Sequence, residues 1–246
     1  ENVRTIIPVP RFPEARIGEL RKLSLTDYPD LAAATIYLAG CNLKCPYCFK
    51  KNLVFIPENF EYLPSEEVME FLEKRRGVLD AVCINGGEPL LQEELFDFIK
   101  AIKDMGYKVK LDTNGFRPDR LKEIVSAGLV DYVAMDVKNV PDKYAATIGL
   151  SENSFKMNNV MESIEYLLRD PVDYEFRVTV VRYLHTFQDM EAIGEWLKNS
   201  RHFYLQKFQD NGNTLVPGFT AYSREEMEEM LAIVRKYIPA AELRGV

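Results

Sequence analysis

The chain has 246 residues, 47% of them hydrophobic, and a formal net charge of −7. A chain of this length and apolar content can bury one sizeable core, so we expect a single domain. The acidic balance gives no reason to expect a nucleic-acid partner, and no apolar run is long enough for a membrane span. With four cysteines and no apolar leader, the sequence predicts a cytoplasmic protein in a reducing compartment.

Short β-rich runs alternate with helical patterns, which predicts an α/β fold with parallel strands and crossover helices. Residues 1–16, with three prolines, predict an extended arm before one domain over residues 17–246. Six βα units fall short of the eight that close a full barrel. We therefore predict an open partial (β/α)6 barrel with a wide lateral mouth and its active site at the carboxyl ends of the strands. The predicted strands cover residues 35–39, 81–84, 108–112, 132–137, 174–181 and 203–206.

Three helices have clear signals in the sequence. Ser65 is predicted to cap a helix that buries Val68, Phe71 and Leu72. Ser223, followed three residues later by Glu226, predicts a capping box. The helix behind this box is predicted to bury Met227, Met230, Leu231 and Val234. A further helix over residues 93–105 places on one face Leu95, Phe98, Ile99 and Ile102.

Three cysteines stand within eight residues, at Cys41, Cys45 and Cys48. One short loop can direct three thiolates at one iron-sulfur cluster and leave its fourth iron open for a small molecule. Structural zinc is the alternative, because Cys45 and Cys48 form a CxxC pair that Cys41 and the distant Cys83 could complete. Cys83, however, lies in an apolar run that predicts a buried strand, so we expect it in the core.

The CxxxCxxC loop, with Tyr47 before its last cysteine, resembles the signature of the radical S-adenosylmethionine (radical SAM) superfamily. The resemblance implies that Cys41, Cys45 and Cys48 hold a 4Fe-4S cluster, whose open iron binds the amino and carboxylate groups of S-adenosylmethionine (SAM). In this family the reduced cluster cleaves SAM to methionine and a 5′-deoxyadenosyl radical, which abstracts a hydrogen atom. By the same resemblance, Tyr47 lies beside the adenine.

A Gly-Gly-Glu-Pro turn follows the second predicted strand. Gly86 and Gly87 let the backbone approach a ligand closely, and Glu88 offers an acceptor for an ammonium group. Most such turns are only turns. Behind the cysteine loop, however, this one resembles the family segment that binds the SAM amino group.

Two further strand ends carry charged residues. Asp112 and Thr113 open an Asn-Gly turn, and Asp136 and Lys138 lie on one face of the next strand, where a structural ion pair is an equal alternative. Both segments resemble the glycyl-radical-enzyme activating enzymes. That resemblance implies a monovalent cation among Asp112, Thr113 and Asp136, and a contact between Arg177 and the SAM carboxylate. A salt bridge at the edge of the core is the alternative for Arg177.

Short segments at residues 17–20, 25–29 and 205–208 resemble activators of anaerobic ribonucleoside-triphosphate reductase, and then activators of pyruvate formate-lyase. Asp27 falls where relatives have the substrate mouth. Gln209 stands where some relatives have a histidine, so we expect it near the SAM ribose. His185 and His202 are expected in loops.

The function implied by this resemblance is an oxygen-sensitive activase that makes a glycyl radical on a partner enzyme. The partner would be of the anaerobic ribonucleotide reductase or pyruvate formate-lyase type, with flavodoxin or ferredoxin as electron donor. The alternatives are a radical SAM enzyme acting on a peptide or small molecule and a structural zinc protein.

Overall fold

The computed structural model describes residues 11–246, which contain one open sheet of eight strands. In chain order the strands are β1 Ile17–Tyr28, β2 Leu31–Leu38, β3 Ala81–Gly86, β4 Lys108–Thr113, β5 Tyr132–Asp136, β6 Asp173–Val180, β7 Phe203–Lys207 and β8 Glu242–Arg244. Their order in the sheet is the same, so β1 and β8 form its two edges. β1 is antiparallel to β2, whereas β2 to β8 are parallel.

Helices connect successive parallel strands. They are α1 Lys51–Val54, α2 Ser65–Lys74, α3 Leu95–Asp104, α4 Pro118–Ser126, α5 Pro141–Ile148, α6 Met157–Leu167, α7 Phe187–Trp196 and α8 Arg224–Val234. Each strand from β2 to β7 is thus followed by at least one helix, and the predicted α/β fold of six βα units in an open barrel is confirmed. The largest apolar cluster joins the inward faces of the helices to the sheet. No helix among residues 11–246 is long and apolar enough to cross a bilayer.

The six predicted strands correspond to β2 through β7, with ends that differ by a few residues. The sequence prediction missed β1 and β8. β1 forms a hairpin with β2, closed by a turn in which Asp30 has a φ of 60°. Aspartate tolerates this left-handed conformation better than most residues. Of the predicted arm, residues 1–10 lie outside the described residues, and the division into an arm and one domain stays a prediction.

Capping of two helices tests the local predictions. The Ser223 and Glu226 capping box at the start of α8 is confirmed. The predicted cap at Ser65 is wrong, because Ser65 is already the first residue of α2 and Pro64 precedes it at the cap position. The Ser65 hydroxyl instead accepts a hydrogen bond from the Ala15 amide at 2.8 Å. This bond fixes the chain that leads into β1.

The interior of the barrel is closed at the amino-terminal ends of its strands. A small apolar cluster fills this end and consists of Tyr28, Ala33, Ala81, Cys83 and Tyr132. Cys83 is 1% exposed there, which confirms it as a core residue. The interior is therefore accessible from the carboxyl ends of the strands, where the polar residues predicted from the sequence lie.

Candidate active site

A cavity of about 930 Å³ lies at the carboxyl ends of the strands. It brings together residues from separate parts of the chain, from the cysteine loop after β2 to the segment after β7. Of the thirteen site residues predicted from the sequence, twelve line it: Cys41, Cys45, Tyr47, Cys48, Gly86, Gly87, Asp112, Thr113, Asp136, Lys138, Arg177 and Gln209. The remaining residue, Glu88, lies behind its wall.

The cysteine loop is held in place by neighbouring backbone. Its last turn is closed by a hydrogen bond of 2.9 Å from the Cys48 amide to the Cys45 carbonyl. The Lys44 amide donates to the Ile148 carbonyl at the end of α5, also at 2.9 Å. From the segment after β7, the Leu215 amide donates to the Cys48 carbonyl at 3.1 Å. The three thiols are thus carried on a loop that is fixed from two sides.

The donor set of this loop fits an iron-sulfur cluster. Burial raises the pKa of the Cys41 thiol to about 12 and that of Cys45 to about 11, so a bound metal must supply the positive charge that stabilises the thiolates. In residues 11–246 no three His, Cys, Asp or Glu side chains surround a single metal ion. A cluster does not need that arrangement, because each thiolate binds a different iron. Cys83 does not line the cavity, so the four-cysteine zinc site is not assembled.

Gly86 and Gly87 allow the turn after β3 to lie directly against the cysteine loop. A Cβ at Gly87 would be 2.0 Å from the Gly40 carbonyl oxygen, and one at Gly86 would be 2.1 Å from that of Leu38. Gly86 also has a φ of 137°, which side chains other than glycine rarely adopt. The close approach predicted from the sequence is therefore made to the protein's own backbone, and it aligns two segments of the cavity wall.

Glu88 connects this turn to the one after β4. Its carboxylate is buried and accepts hydrogen bonds from the Leu90 amide at 3.1 Å, the Thr113 hydroxyl at 2.8 Å and the Asn114 amide at 2.7 Å. Asn114 in turn donates to the Asn42 side chain in the cysteine loop at 2.9 Å. Contact between Glu88 and the SAM amino group stays a prediction. In this structure the residue links the three turns that surround the cavity.

The buried position of Glu88 leads to a pH-dependent contribution to stability. Burial raises its pKa to about 7, although its three hydrogen bonds act in the opposite direction. The folded protein thus binds this proton more tightly than the unfolded chain. The resulting stability is complete below the unfolded pKa of about 4 and is lost as the pH rises through about 7.

We expect the free energy of unfolding to fall by about 2 kcal/mol more in the wild type than in Glu88→Gln between about pH 5 and about pH 8. Urea unfolding of both proteins at each pH measures this difference. Glu94→Gln, an exposed change before α3, is the control and should follow the wild type. Parallel losses in the wild type and Glu88→Gln would contradict the raised pKa.

Charged residues form a connected network beneath the cavity. Arg177 donates from Nε to Asp136 at 2.8 Å and from Nη1 to Asp112 at 3.0 Å. Lys138 contacts the other Asp136 oxygen at 3.1 Å, so the predicted ion pair is present. Burial alone would raise the pKa of Asp136, but Arg177 and Lys138 hold it well below its usual range. The ion pair considered for Asp136 and Lys138 and the salt bridge considered for Arg177 are thus both present. The side chains that form them also line the cavity.

Three other residues singled out in the sequence also line the cavity. The Tyr47 ring is 6.4 Å from Phe208 in an edge-to-face arrangement. Gln209 reaches the Gly245 carbonyl at 3.5 Å, and Asp27 on β1 lines the cavity from the opposite edge of the sheet. His185 lies in the loop between β6 and α7, as predicted, but is fully buried.

The sequence prediction missed four polar residues of this region. Lys110 and Asn85 contact Asp112, Asn114 joins two loops, and Arg244 pairs with the buried Glu175 at 2.8 Å. Lys110 could have been found, because it lies two residues before Asp112 and must share its face of the strand. Arg244 lies in a short charged strand with no apolar pattern to reveal it.

Comparison with known proteins identifies the family. The family model of the Radical SAM superfamily matches residues 35–199, which include the cysteine loop and the charged network around Asp112 and Asp136. The chain belongs to the radical SAM superfamily. It is therefore an enzyme of a family that uses a 4Fe-4S cluster and SAM, and the three cysteines on one loop fit that cluster.

Radical SAM relatives match over most of the chain. A Methanocaldococcus jannaschii protein, provisionally named a glycyl-radical enzyme activating enzyme, is 32% identical over 237 residues, or 95% of this chain and 97% of the relative. The pyruvate formate-lyase-activating enzyme of Clostridium pasteurianum is 30% identical over 57% of this chain and 60% of its own length. The GTP 3′,8-cyclase of Helicobacter pylori is 30% identical over 80% of this chain and 60% of its own.

Solved structures of other proteins share the fold. A methyltransferase from Sphaerobacter thermophilus superposes with a TM-score of 0.68 at 14% identity, over 88% of this chain and 67% of that one. Streptococcus suis SuiB bound to its precursor peptide SuiA has a TM-score of 0.66 at 15% identity, over 86% of this chain. The chain spans about half the length of SuiB, 48%. At these identities the likeness concerns the fold alone.

Proposed function

We propose that this radical SAM enzyme is an activase that generates a glycyl radical on a partner enzyme. When bound, the cluster supplies the electron that cleaves SAM to methionine and a 5′-deoxyadenosyl radical. Transfer of one hydrogen atom from the Cα of a partner glycine to that radical gives 5′-deoxyadenosine and the glycyl radical. The chain's own residues bind and orient SAM and exclude water.

The observation that carries this proposal is a cavity whose lining extends from one edge of the open sheet to the other. Its lining includes Gly18 and Arg21 from β1, Arg244 from β8, and Gly245, which follows β8. A site for a small molecule commonly occupies about 300–1,000 Å³, and this cavity of about 930 Å³ is at the upper end of that range. We propose that SAM and an inserted loop of a partner share this space. The match to the M. jannaschii relative along nearly its whole length supports the same conclusion.

The individual roles within this site are part of the proposal. Cys41, Cys45 and Cys48 hold the cluster, and the backbone of Gly86 and Gly87 lies beside the SAM amino group. Arg177, held by Asp112 and Asp136, faces the SAM carboxylate. Tyr47 lies beside the adenine, and Gln209 replaces a histidine near the ribose. Lys138 fixes Asp136 from the cavity side.

The partners are proposed from the same relatives. The glycyl-radical enzyme would be of the anaerobic ribonucleotide reductase or pyruvate formate-lyase type, and flavodoxin or ferredoxin would deliver the electron. The cytoplasm is the proposed location. All four cysteines are free thiols, which agrees with a reducing compartment.

The test is anaerobic incubation of the reconstituted protein with SAM, a reduced carrier and each candidate partner. We expect a stable glycyl doublet in the electron paramagnetic resonance spectrum of one partner and an equivalent amount of 5′-deoxyadenosine. The mixture without SAM is the control. The doublet should disappear when the partner's radical-bearing glycine is replaced by alanine.

A small-molecule reaction is the second candidate, and one observation favours it. Seven cationic and four anionic side chains line the cavity of a chain whose net charge is −7. That excess suits an anionic substrate, and one matched relative is named for a reaction of GTP. Formation of 5′-deoxyadenosine with nucleotides, and no doublet with any candidate partner, would replace the activase by this alternative.

A further inference from the structure

The two aspartates beneath the cavity already have nitrogen donors on every carboxylate oxygen. Asp112 Oδ1 accepts from Lys110 Nζ at 2.5 Å, and its Oδ2 accepts from Asn85 Nδ2 at 2.8 Å and Arg177 Nη1 at 3.0 Å. Asp136 Oδ1 accepts from Arg177 at 2.8 Å and its Oδ2 from Lys138 at 3.1 Å. Three cationic side chains therefore surround two carboxylates.

A bare alkali cation does not fit among these residues. The Thr113 hydroxyl, the third ligand that the family resemblance implied, donates to Glu88 at 2.8 Å and accepts from the Gly115 amide at 3.1 Å. Among residues 11–246, every buried side-chain oxygen and nitrogen has a hydrogen-bond partner. An added cation would have to share these oxygens with the N–H donors already bound to them, and it would meet the positive charges of Lys110, Arg177 and Lys138 at close range.

Lys110 is the unusual member of this network. Its side chain is 3% exposed, and it lies on β4 between Cys83 of β3 and Tyr132 of β5, in the interior of the barrel. Burying an ammonium group is costly unless it is paired, and Asp112 is its carboxylate partner in the described residues. Asp112 already has Arg177, so it does not need Lys110 for charge compensation alone.

We propose that the ammonium of Lys110 takes the place of a bound alkali cation in this enzyme. Lys110 holds one oxygen of Asp112, and the other oxygen of Asp112 holds Arg177 toward the cavity. Lys110 is thus a positioning residue for SAM that acts through Asp112, and SAM binding needs neither Na⁺ nor K⁺. The inference depends on SAM binding in this cavity and is independent of which molecule loses the hydrogen atom.

The first experiment measures equilibrium SAM binding by the reconstituted wild-type enzyme in K⁺, Na⁺ or tetramethylammonium buffers of equal ionic strength. We expect the three dissociation constants to agree within about twofold, because the built-in ammonium does not exchange. Binding that is weaker by about tenfold or more in tetramethylammonium would overturn the proposal.

The second experiment uses a pair of variants that differ in the space left beside Asp112. Lys110→Ala should weaken SAM binding by about tenfold or more in tetramethylammonium, and K⁺, Na⁺ or methylammonium should restore it, because the vacated space admits a cation. Lys110→Met removes the charge but fills the space, so its weaker binding should not recover. A purely structural role predicts equal loss in both variants without recovery in either, and that result would overturn the proposal.

Lys108→Ala is the matched control. Lys108 lies on the same strand and forms an ion pair with Asp131 at 2.9 Å, but its side chain is 60% exposed. We expect its SAM affinity to equal that of the wild type in all three buffers.

A readout that does not involve SAM is thermal unfolding. K⁺ should raise the melting temperature of Lys110→Ala relative to tetramethylammonium and leave those of Lys110→Met and the wild type unchanged. A K⁺ effect of equal size in all three proteins would contradict the proposed site.

Discussion

Cys41→Ala is expected to abolish reductive SAM cleavage. The change removes one of the three loop thiols that line the cavity. No other thiol among residues 11–246 lines it and could replace the lost donor. Loss of a partner outside the ligand shell already costs roughly 10–100-fold in metal affinity, so loss of a ligand should exceed that. Iron content, the visible spectrum after anaerobic reconstitution and the yield of 5′-deoxyadenosine all measure the effect.

Cys83→Ala is the control, because it removes a buried thiol of the same barrel that does not line the cavity. Its cluster content and SAM cleavage should equal those of the wild type. We expect its free energy of unfolding to fall by about 1 kcal/mol, the cost of a small cavity in the cluster that closes the barrel. Normal turnover by Cys41→Ala, or loss of iron from Cys83→Ala, would contradict the three-cysteine site.

Gly87→Ala is expected to have the next largest effect. Its new methyl group would lie 2.0 Å from the Gly40 carbonyl oxygen and 3.1 Å from the Cys41 Cβ, so backbone must move. Movement breaks the 2.7 Å hydrogen bond from the Glu88 amide to Gly40 and displaces the first cysteine. Overpacking of this kind costs about 1–3 kcal/mol. We expect a lower melting temperature and poor cluster incorporation, measured by calorimetry and iron analysis.

Gly128→Asn provides the comparison for that variant. Gly128 follows α4, has a φ of 69°, and a Cβ there would meet no atom within 4 Å. Asparagine tolerates this conformation. Cluster incorporation should therefore be unchanged. If Gly87→Ala also bound a full complement of iron, close contact between the two loops would not be needed to place the cysteines.

The fold could be predicted from the sequence because the central strands are short apolar runs between amphipathic helices. β1 could not, because several irregularities interrupt its pairing with β2 and no regular alternation of buried residues survives. β8 is three residues long and charged at both ends, so only its pairing with β7 defines it. The prediction of a cap at Ser65 failed because the presence of a serine does not by itself show which residue begins the helix.

The positions of the site residues could be predicted more reliably than their contacts. Strand alternation and loop order place twelve of the thirteen around one cavity. Glu88 differs because the acceptors of a buried carboxylate are satisfied by whichever amides the tertiary fold brings near, here those of Leu90 and Asn114. The cation expected among Asp112, Thr113 and Asp136 stays a prediction, and the sequence alone did not reveal that Lys110, Arg177 and Lys138 contact the two aspartates.

One apolar cluster closes the barrel at the amino-terminal ends of its parallel strands; it consists of Tyr28, Ala33, Ala81, Cys83 and Tyr132. Reactants and products must therefore enter and leave on the side where the carboxyl ends of β2 to β8 lie. Under the proposed activase function, a partner that inserted its glycine there would block the exit of methionine and 5′-deoxyadenosine. SAM would then have to bind before the partner, and the partner would have to leave before the next SAM could bind.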